Sequence, residues 1–283
     1  MFIIAIAVIL VLSSGVTHAV WNLYTKSSSN KNVFLWLIHV CGIVLFLPFL
    51  IHDIWQGVPL QGYLFMAMTF LFQMSYAFFL PKAYERADMS QAYPIMRGIA
   101  ALLVPILGVW LFGERLTLIG WLGVSAIVIG LFAIGGLWRL PWRSFFTSYW
   151  PILGVGASIT CYTLTDKMLL QHISPLSLIA LSNVGFSLML LRSALTSREI
   201  GAAWKRQWGK ILIGTFLAPG SYILFLFAMT LGTVSQLAPI REISTVVGTL
   251  FGIWLLKEAD GIRRVSFAGL ITAGIIAIGI WGT

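Results

Sequence analysis

The chain has 283 residues, of which 59% are hydrophobic and only 10% are charged. Its mean hydropathy is +0.94. A soluble domain of this length buries roughly 70–75% of its surface on folding, which could not hide so much apolar area. The composition therefore excludes a soluble globular domain and predicts an integral membrane protein.

Ten apolar stretches are long enough to span a bilayer, since a spanning helix needs about 20 predominantly apolar residues. The connections between them are short, and the longest, 196–209, is expected to form at most an interfacial turn. The first stretch lacks a basic start, so we interpret it as a retained span rather than a signal peptide. The ten predicted spans are residues 2–24, 33–51, 62–80, 90–112, 117–137, 149–170, 176–195, 210–231, 234–256 and 265–282.

The sequence repeats itself about halfway along. Ser90 to Ile95 reads SQAYPI and returns as SQLAPI at Ser235 to Ile240, and each copy leads into an apolar stretch that carries an arginine. Gly15 to Lys26 aligns in the same way with Gly156 to Lys167. Internal duplication of this kind is typical of transporters built from repeats, with a binding site near the bilayer midplane.

The repeat predicts the fold class, an all-α membrane protein with ten transmembrane helices. We expect a first five-helix repeat at 1–140 and a second at 141–283, integrated into one membrane domain. Because five is an odd number, the second copy must enter the membrane the other way up. The prediction is therefore two inverted five-helix repeats.

The net charge of +9 is distributed unevenly between the two membrane faces. Fourteen of the 18 lysines and arginines lie at connections 1–2, 3–4, 5–6, 7–8 and 9–10, whereas only Arg115 and Lys167 lie at the other face. The positive-inside rule places the crowded face in the cytoplasm and both termini outside. The basic charge thus indicates orientation, and no nucleic-acid partner is expected.

The remaining two basic residues, Arg97 and Arg241, lie inside spans. Each is roughly 10 Å from its helix end at about 1.5 Å per residue. An arginine at that depth costs about 2.5–3.5 kcal/mol on insertion scales, so it generally faces a cavity or a partner. We interpret the two as substrate-binding guanidinium groups that hold a carboxylate, phosphonate or phosphate. The alternatives are a structural ion pair or snorkelling to the headgroups.

Two carboxylates and two lysines accompany these arginines. Glu242 and Asp166 are candidates for a coupling role, or for structural pairing with another helix. Lys26 and Lys167 end the first span of each half, where they either snorkel or face the cavity as substrate-binding residues. With both lysines included, cations outnumber carboxylates at the centre, which favours an anion or a zwitterion.

Further candidates follow from residue type. Trp21, Tyr93 and Tyr162, together with Tyr24, Tyr76 and Tyr222, either line a pocket or belong to the interfacial aromatic belt. Gln91 and Gln236 precede the repeated prolines and are candidate substrate-binding donors. Pro94 and Pro239 are expected to act as hinges or as static bends.

Other residues are assigned to structure. Glu114 and Glu258 end spans beside basic residues, which predicts interfacial salt bridges. Gly248 and Gly252 predict a close approach by a neighbouring helix. No metal site is expected, because the four histidines lack ligand spacing.

Residues 112–117, FGERLT, followed by GWLG at 120–123, resemble the end of the fourth span in EamA-type members of the drug/metabolite transporter superfamily. Ala87 to Ile95 resembles the stretch that opens that span, and LLKE at 255–258 is a looser second copy. The resemblance implies a central cavity lined by spans 1, 3, 4, 6, 8 and 9, which works by alternating access without ATP. It also implies cytoplasmic termini, against the charge distribution.

Together these features predict a secondary transporter of the inner (plasma) membrane, multi-pass, and not an enzyme. Its expected cargo is a small anionic or zwitterionic metabolite, such as an amino acid, an organic acid or an organophosphonate. No cofactor is expected, the proton is the candidate coupling ion, and the protein is a monomer or homodimer in the bilayer. The alternatives are a flippase for a phosphate-bearing lipid or lipid carrier, an intramembrane enzyme acting on lipid phosphates, and a non-transporting scaffold.

The charge distribution makes a direct prediction about topology. Alkaline phosphatase fused after Thr283 should be active in cells, and a green fluorescent protein fused there should be dark, because the C-terminus is expected outside. Bright fluorescence with an inactive phosphatase would show that the family resemblance, and not the charge count, gives the orientation.

Overall fold

The structure is a computed structural model that describes residues 2–26, 30–87, 89–137, 149–256 and 261–283. All regular structure in these ranges is helical and forms eleven segments. These are α1 Phe2–Lys26, α2 Lys31–Gly57, α3 Leu60–Arg86, α4 Met89–Phe112, α5 Leu118–Gly135, α6 Trp150–Leu169, α7 Pro175–Ser197, α8 Ile200–Leu231, α9 Val234–Ile240, α10 Ile243–Leu256 and α11 Gly261–Trp281.

Within the described ranges, eight of the segments are long and apolar enough to cross a membrane. The exceptions are α6, which is rich in Gly, Ser and Thr and carries Asp166, and the pair α9 and α10. The last two are the parts of one broken helix, which occupies the ninth predicted span. The ten-helix fold class is therefore confirmed.

Local sequence explains where several helices begin and end. Asn30, Thr117 and Ser174 precede α2, α5 and α7, and each side chain accepts a hydrogen bond from a backbone N–H of the first turn. Pro175 follows Ser174 at the first helical position, where a missing N–H costs nothing. Gly136 ends α5 in the left-handed conformation, at φ 63°, which favours glycine.

The helix packing has the symmetry of an inverted repeat. Helix α1 packs on α8 of the other half, and its equivalent α6 packs on α3 in the same way. Helix α2 packs on its own equivalent α7, and α5 packs on α11. Exchanging the two halves therefore exchanges the first two of these pairs and leaves the other two unchanged, so the major helix contacts follow the repeat.

Residues 196–209 were expected to form at most an interfacial turn between two spans. This prediction is wrong, because α8 already begins at Ile200. Its first part is amphipathic, with Trp204, Lys205 and Arg206 exposed, as in helices that lie in the headgroup region. The backbone then leaves helical geometry at Gln207, with φ −131° and ψ 19°. This kink separates the amphipathic first part from the apolar part that crosses the membrane.

The ninth predicted span is not one continuous helix. Helix α9 ends at Ile240 and α10 begins at Ile243. Across the break, Glu242 N–H donates to the Pro239 carbonyl at 3.0 Å and Ser244 N–H donates to the Arg241 carbonyl at 3.1 Å. These tighter bonds follow Pro239, which has no N–H of its own. The equivalent α4 stays helical across Pro94 and Pro105.

Close helix contact occurs between α5 and α11 through a pair of glycines. A Cβ added at Gly123 would lie 2.8 Å from the Gly274 carbonyl oxygen, and one at Gly274 would lie 2.6 Å from the Gly123 oxygen. The close approach expected at Gly248 is wrong, because no atom of the described residues lies within 4 Å of a Cβ added there. Gly252 lies outside the residues whose side-chain positions are described.

Gly274→Ala should lower the thermal unfolding midpoint in detergent, since overpacking a tight contact typically costs about 1–3 kcal/mol. Gly269→Ala is the matched control, because it lies on the same helix with open space around its Cβ. The control should be neutral or gain up to about 1 kcal/mol from helix propensity. Equal midpoints for the two variants would contradict the glycine contact.

Candidate functional site: a charged centre between the halves

The centre of the protein contains a buried ion pair between the two halves. The Arg97 guanidinium of α4 binds the Glu242 carboxylate at the α9–α10 break, with Nη2 2.5 Å from Oε1 and Nε donating to Oε2 at 3.1 Å. Thr245 donates a further hydrogen bond to Oε2 at 3.1 Å. Both carboxylate oxygens are thus used. The forked geometry is the arrangement that makes a buried ion pair stable.

Arg241 lies beside this pair but has a different environment. Its side chain is buried, and its Nε has no hydrogen-bond partner among the described residues. The guanidinium carbon lies 4.9 Å from the ring centroid of Tyr222 and 4.6 Å from that of Phe225. Arginine stacks well on aromatic faces, and this leaves its hydrogen-bonding edge available. The two arginines were expected to be equivalent. In the structure Arg97 is bound to Glu242, whereas Arg241 keeps a free hydrogen-bond donor among the described residues.

Two small cavities meet at the arginines. The first has a volume of about 50 Å³ and is lined by His18, Tyr76, Tyr93 and Tyr162 as well as Arg97 and Arg241. It lies early in α4 and α6, towards the face that carries most of the basic residues.

The second cavity, of about 20 Å³, lies on the other side of the ion pair, against Val104, Thr163 and Phe225. Arg97 and Arg241 line both cavities. The charged centre therefore separates the two cavities, and each cavity is large enough for at most a few water molecules.

Aromatic side chains from three helices enclose the larger cavity. Tyr76 and Tyr162 meet edge to face with their ring centroids 6.2 Å apart, and Tyr162 meets Tyr222 in the same way at 6.2 Å. His18 lies opposite, where its Nδ1 accepts from Trp21 Nε1 at 3.1 Å. A neutral His18 therefore carries its proton on Nε2. Phenol hydroxyls and this N–H add donors around Arg241.

Asp166 is fully buried next to the aromatic ring system. Thr69 of α3 donates to Oδ1 at 2.7 Å, and the hydroxyl of Tyr222 on α8 donates to Oδ2. Both donors are uncharged. Asp166 thus joins three helices, and its partner Tyr222 also has the Arg241 guanidinium over its ring face.

The neighbouring Lys167 points elsewhere, away from both cavities. Its Nζ donates to the carbonyls of Met229 and, at 2.8 Å, Gly232, where it caps the end of α8. Glu114 accepts from the N–H groups of Val234 at 2.9 Å and Ser235 at 2.8 Å, where it caps the start of α9. Glu114 forms no salt bridge within the described part of the chain, so the expected one is not found there, and helix-end N–H groups are its partners. Lys167 and Glu114 together hold the α8–α9 turn.

The remaining predicted residues are distributed unevenly. Gln236 is buried and donates to the Ile278 carbonyl of α11 at 2.9 Å, away from the cavities. Gln91 is half-buried in the first turn of α4, and Trp21 contacts His18.

The side chain of Lys26 and all of Glu258 lie outside the described positions. Pro94 lies within continuous helix, and Pro239 lies just before the helix break.

The centre contains two guanidinium groups and two carboxylates, so the expected excess of positive charge is not found among the described side chains there. Lys167 is absent from the centre because helix-end carbonyls bind it. Sequence reasoning also missed His18 and Thr69. A hydroxyl and a single histidine in an apolar helix carry no pattern, although burial of any ionisable group within the membrane is a usable signal.

Ten membrane helices in two inverted repeats around a charged centre define a helical membrane transport protein. A sequence profile of the EamA-like transporter family matches residues 2–136 and again 147–280. The chain therefore belongs to the EamA-like transporter family, whose members are transporters. A solved crystal structure superposes on it with a TM-score of 0.71 over 96% of both chains at 17% identity. That likeness shows the same fold.

Glu242→Gln should destabilise the protein by about 3–5 kcal/mol, because it leaves the buried Arg97 charge unpaired. The double variant Arg97→Gln, Glu242→Gln should recover most of that loss. Denaturant unfolding in detergent measures both. Additive losses in the double variant would show that the two side chains do not interact.

Proposed function

We propose that the protein is a secondary transporter that moves a small anionic or zwitterionic metabolite, such as an amino acid, an organic acid or an organophosphonate, by alternating access. The proposal rests on Arg241, a buried guanidinium that lines both cavities and whose Nε has no partner among the residues that the structure describes. A buried cation inside a membrane domain generally binds a substrate or a partner. Here the carboxylate that follows it, Glu242, binds Arg97 instead.

The surroundings of Arg241 support an oxyanion ligand. The larger cavity adds the hydroxyls of Tyr76, Tyr93 and Tyr162 and the ring of His18. These groups donate hydrogen bonds to carboxylate, phosphonate or phosphate oxygens, and their rings form the apolar walls that a small organic molecule needs.

Alternating access is supported by the asymmetry between the two faces. The larger cavity lies towards the basic face, whereas Lys167 and Glu114 hold the α8–α9 turn at the opposite face. A cavity of about 50 Å³ holds only a few water molecules, so a metabolite requires the helices to separate. The flippase alternative needs a gap wide enough for acyl chains, and neither cavity in the described part of the chain offers one.

The ligand can be found by a thermal-shift screen of purified protein against small carboxylates, amino acids, phosphonates and sulfonates. A ligand at a hundredfold excess over its dissociation constant stabilises by about 2.7 kcal/mol. Stabilisation by small anions or zwitterions is expected. If only phospholipid headgroup compounds stabilised the protein, the flippase would be the better description.

Arg241→Gln should weaken binding of the screened ligand by on the order of 10- to 100-fold, since a hydrogen bond to a charged group contributes about 1.5–3 kcal/mol. Uptake into proteoliposomes should fall accordingly. Arg241→Lys keeps the charge but cannot make two parallel hydrogen bonds, so its uptake should lie between that of the wild type and that of Arg241→Gln. Lys210→Gln, an exposed basic residue, is the control. Wild-type uptake by Arg241→Gln would overturn the proposal.

A further inference from the structure

The two buried carboxylates of the centre differ in their partners. Glu242 is held by the Arg97 guanidinium through both oxygens. Protonating it would leave Arg97 as an unpaired buried charge, which is strongly unfavourable. Asp166 accepts hydrogen bonds from two neutral hydroxyls, those of Thr69 and Tyr222. A proton on Asp166 would therefore remove a buried charge without breaking a direct ion pair.

Asp166 is connected to the proposed anion site through one side chain. The hydroxyl of Tyr222 donates to Asp166, and the face of the same ring lies under the Arg241 guanidinium. An anion bound to Arg241 and an ionised Asp166 would be two negative charges next to the same tyrosine, one beyond the ring face and one at the hydroxyl. Like charges at such separations in a protein oppose each other by on the order of tenfold in affinity.

The other titratable groups around this centre do not replace Asp166 in that role. Arg97 and Glu242 neutralise each other, and Lys167 is bound to the end of α8. The remaining groups are His18 on α1, whose Nδ1 is occupied by Trp21, and phenols, which stay neutral at physiological pH. The charged and titratable groups that face Asp166 or the cavity beside it are His18 of α1, Tyr76 of α3, Tyr93 and Arg97 of α4, Tyr162 of α6, Tyr222 of α8, and Arg241 and Glu242 at the α9–α10 break.

We propose that Asp166 is the proton-binding site that couples transport to the proton gradient, and that the proton and the anion travel together. The proposal rests on the proposed function, because it needs an anion on Arg241. With Asp166 ionised, the two guanidinium groups and two carboxylates cancel. Once Asp166 takes up one proton from water at one face, the centre carries one net positive charge and binds an anion better. By linkage the anion strengthens proton binding equally, so both are carried across and released together.

The first test needs no substrate. Infrared difference spectra of the purified wild-type protein, recorded on raising the pH, should show a protonated-carboxyl stretch that persists after exposed carboxylic acids have ionised, at about pH 5. Asp166→Asn should lack that band. Asp53→Asn, which removes a carboxylate capping α7 near the membrane surface, should keep it. A band that survives in Asp166→Asn would overturn the proposal whatever the protein transports.

A second variant protects this test against a folding defect. Tyr222→Phe keeps the ring under Arg241 but removes the hydroxyl that donates to Asp166. Losing a donor to the ionised form favours the protonated form, so the band should persist to higher pH than in the wild type. An unchanged band in this variant would place the proton on another group.

The second test measures coupling with L-lactate and methanesulfonate, which keep one negative charge throughout this pH range. Wild-type protein should bind these probes about tenfold more weakly after the band has titrated, whereas Asp166→Asn should bind them equally at both pH values. Wild-type affinity that does not change with pH, with the infrared band lost in Asp166→Asn, would overturn the coupling but leave the anion site intact. Failure of both probes to bind at any pH would overturn the anion site, and with it the coupling.

Discussion

The forked ion pair between Arg97 and Glu242 is the interaction on which the rest of the centre depends. It joins α4 of the first half to the helix break of the second, and it is buried in a protein whose surroundings cannot solvate a charge. Because each group satisfies the other, neither needs to move towards the headgroups. The pair also releases Arg241 from its sequence neighbour, so that one guanidinium remains available at the junction of the two cavities.

One difference between the repeats gives the two arginines different roles. The arginine is followed by Gly98 in the first half and by Glu242 in the second. The repeat places Arg97 and Arg241 in equivalent positions, but only one carboxylate follows them. That carboxylate, Glu242, binds Arg97 of the opposite half. The backbone follows the same asymmetry, since α4 is continuous whereas the equivalent helix breaks at Arg241. Gly15 of α1 permits close approach there, as a Cβ would lie 3.2 Å from the Arg241 carbonyl oxygen.

Polar side chains at the helix ends cap the helices and do not contribute to the proposed binding site. Lys167 caps the end of α8 and Glu114 caps the start of α9, so residues from α6 and the α4–α5 connection hold one turn. Asp53 accepts from the Ser174 N–H at 2.7 Å and similarly holds the start of α7. In a membrane, unsatisfied helix-end groups are costly, and charged side chains that bind them stabilise the ends of the bundle. This requirement takes Lys167 away from the site for which its repeat position made it a candidate.

The sequence by itself determined the membrane class, the ten spans, the internal duplication and the inverted arrangement. These follow from hydrophobic length and from counting, because lipid allows little besides complete helices. It also identified the arginines at 97 and 241 as buried charges. Only the tertiary structure decided which carboxylate binds which arginine, that Lys167 and Gln236 bind backbone carbonyls, and that His18 and Thr69 belong to the centre. The physical reason is that a polar side chain in lipid takes whichever partner lies nearest in space, and that partner comes from helices far apart in the chain.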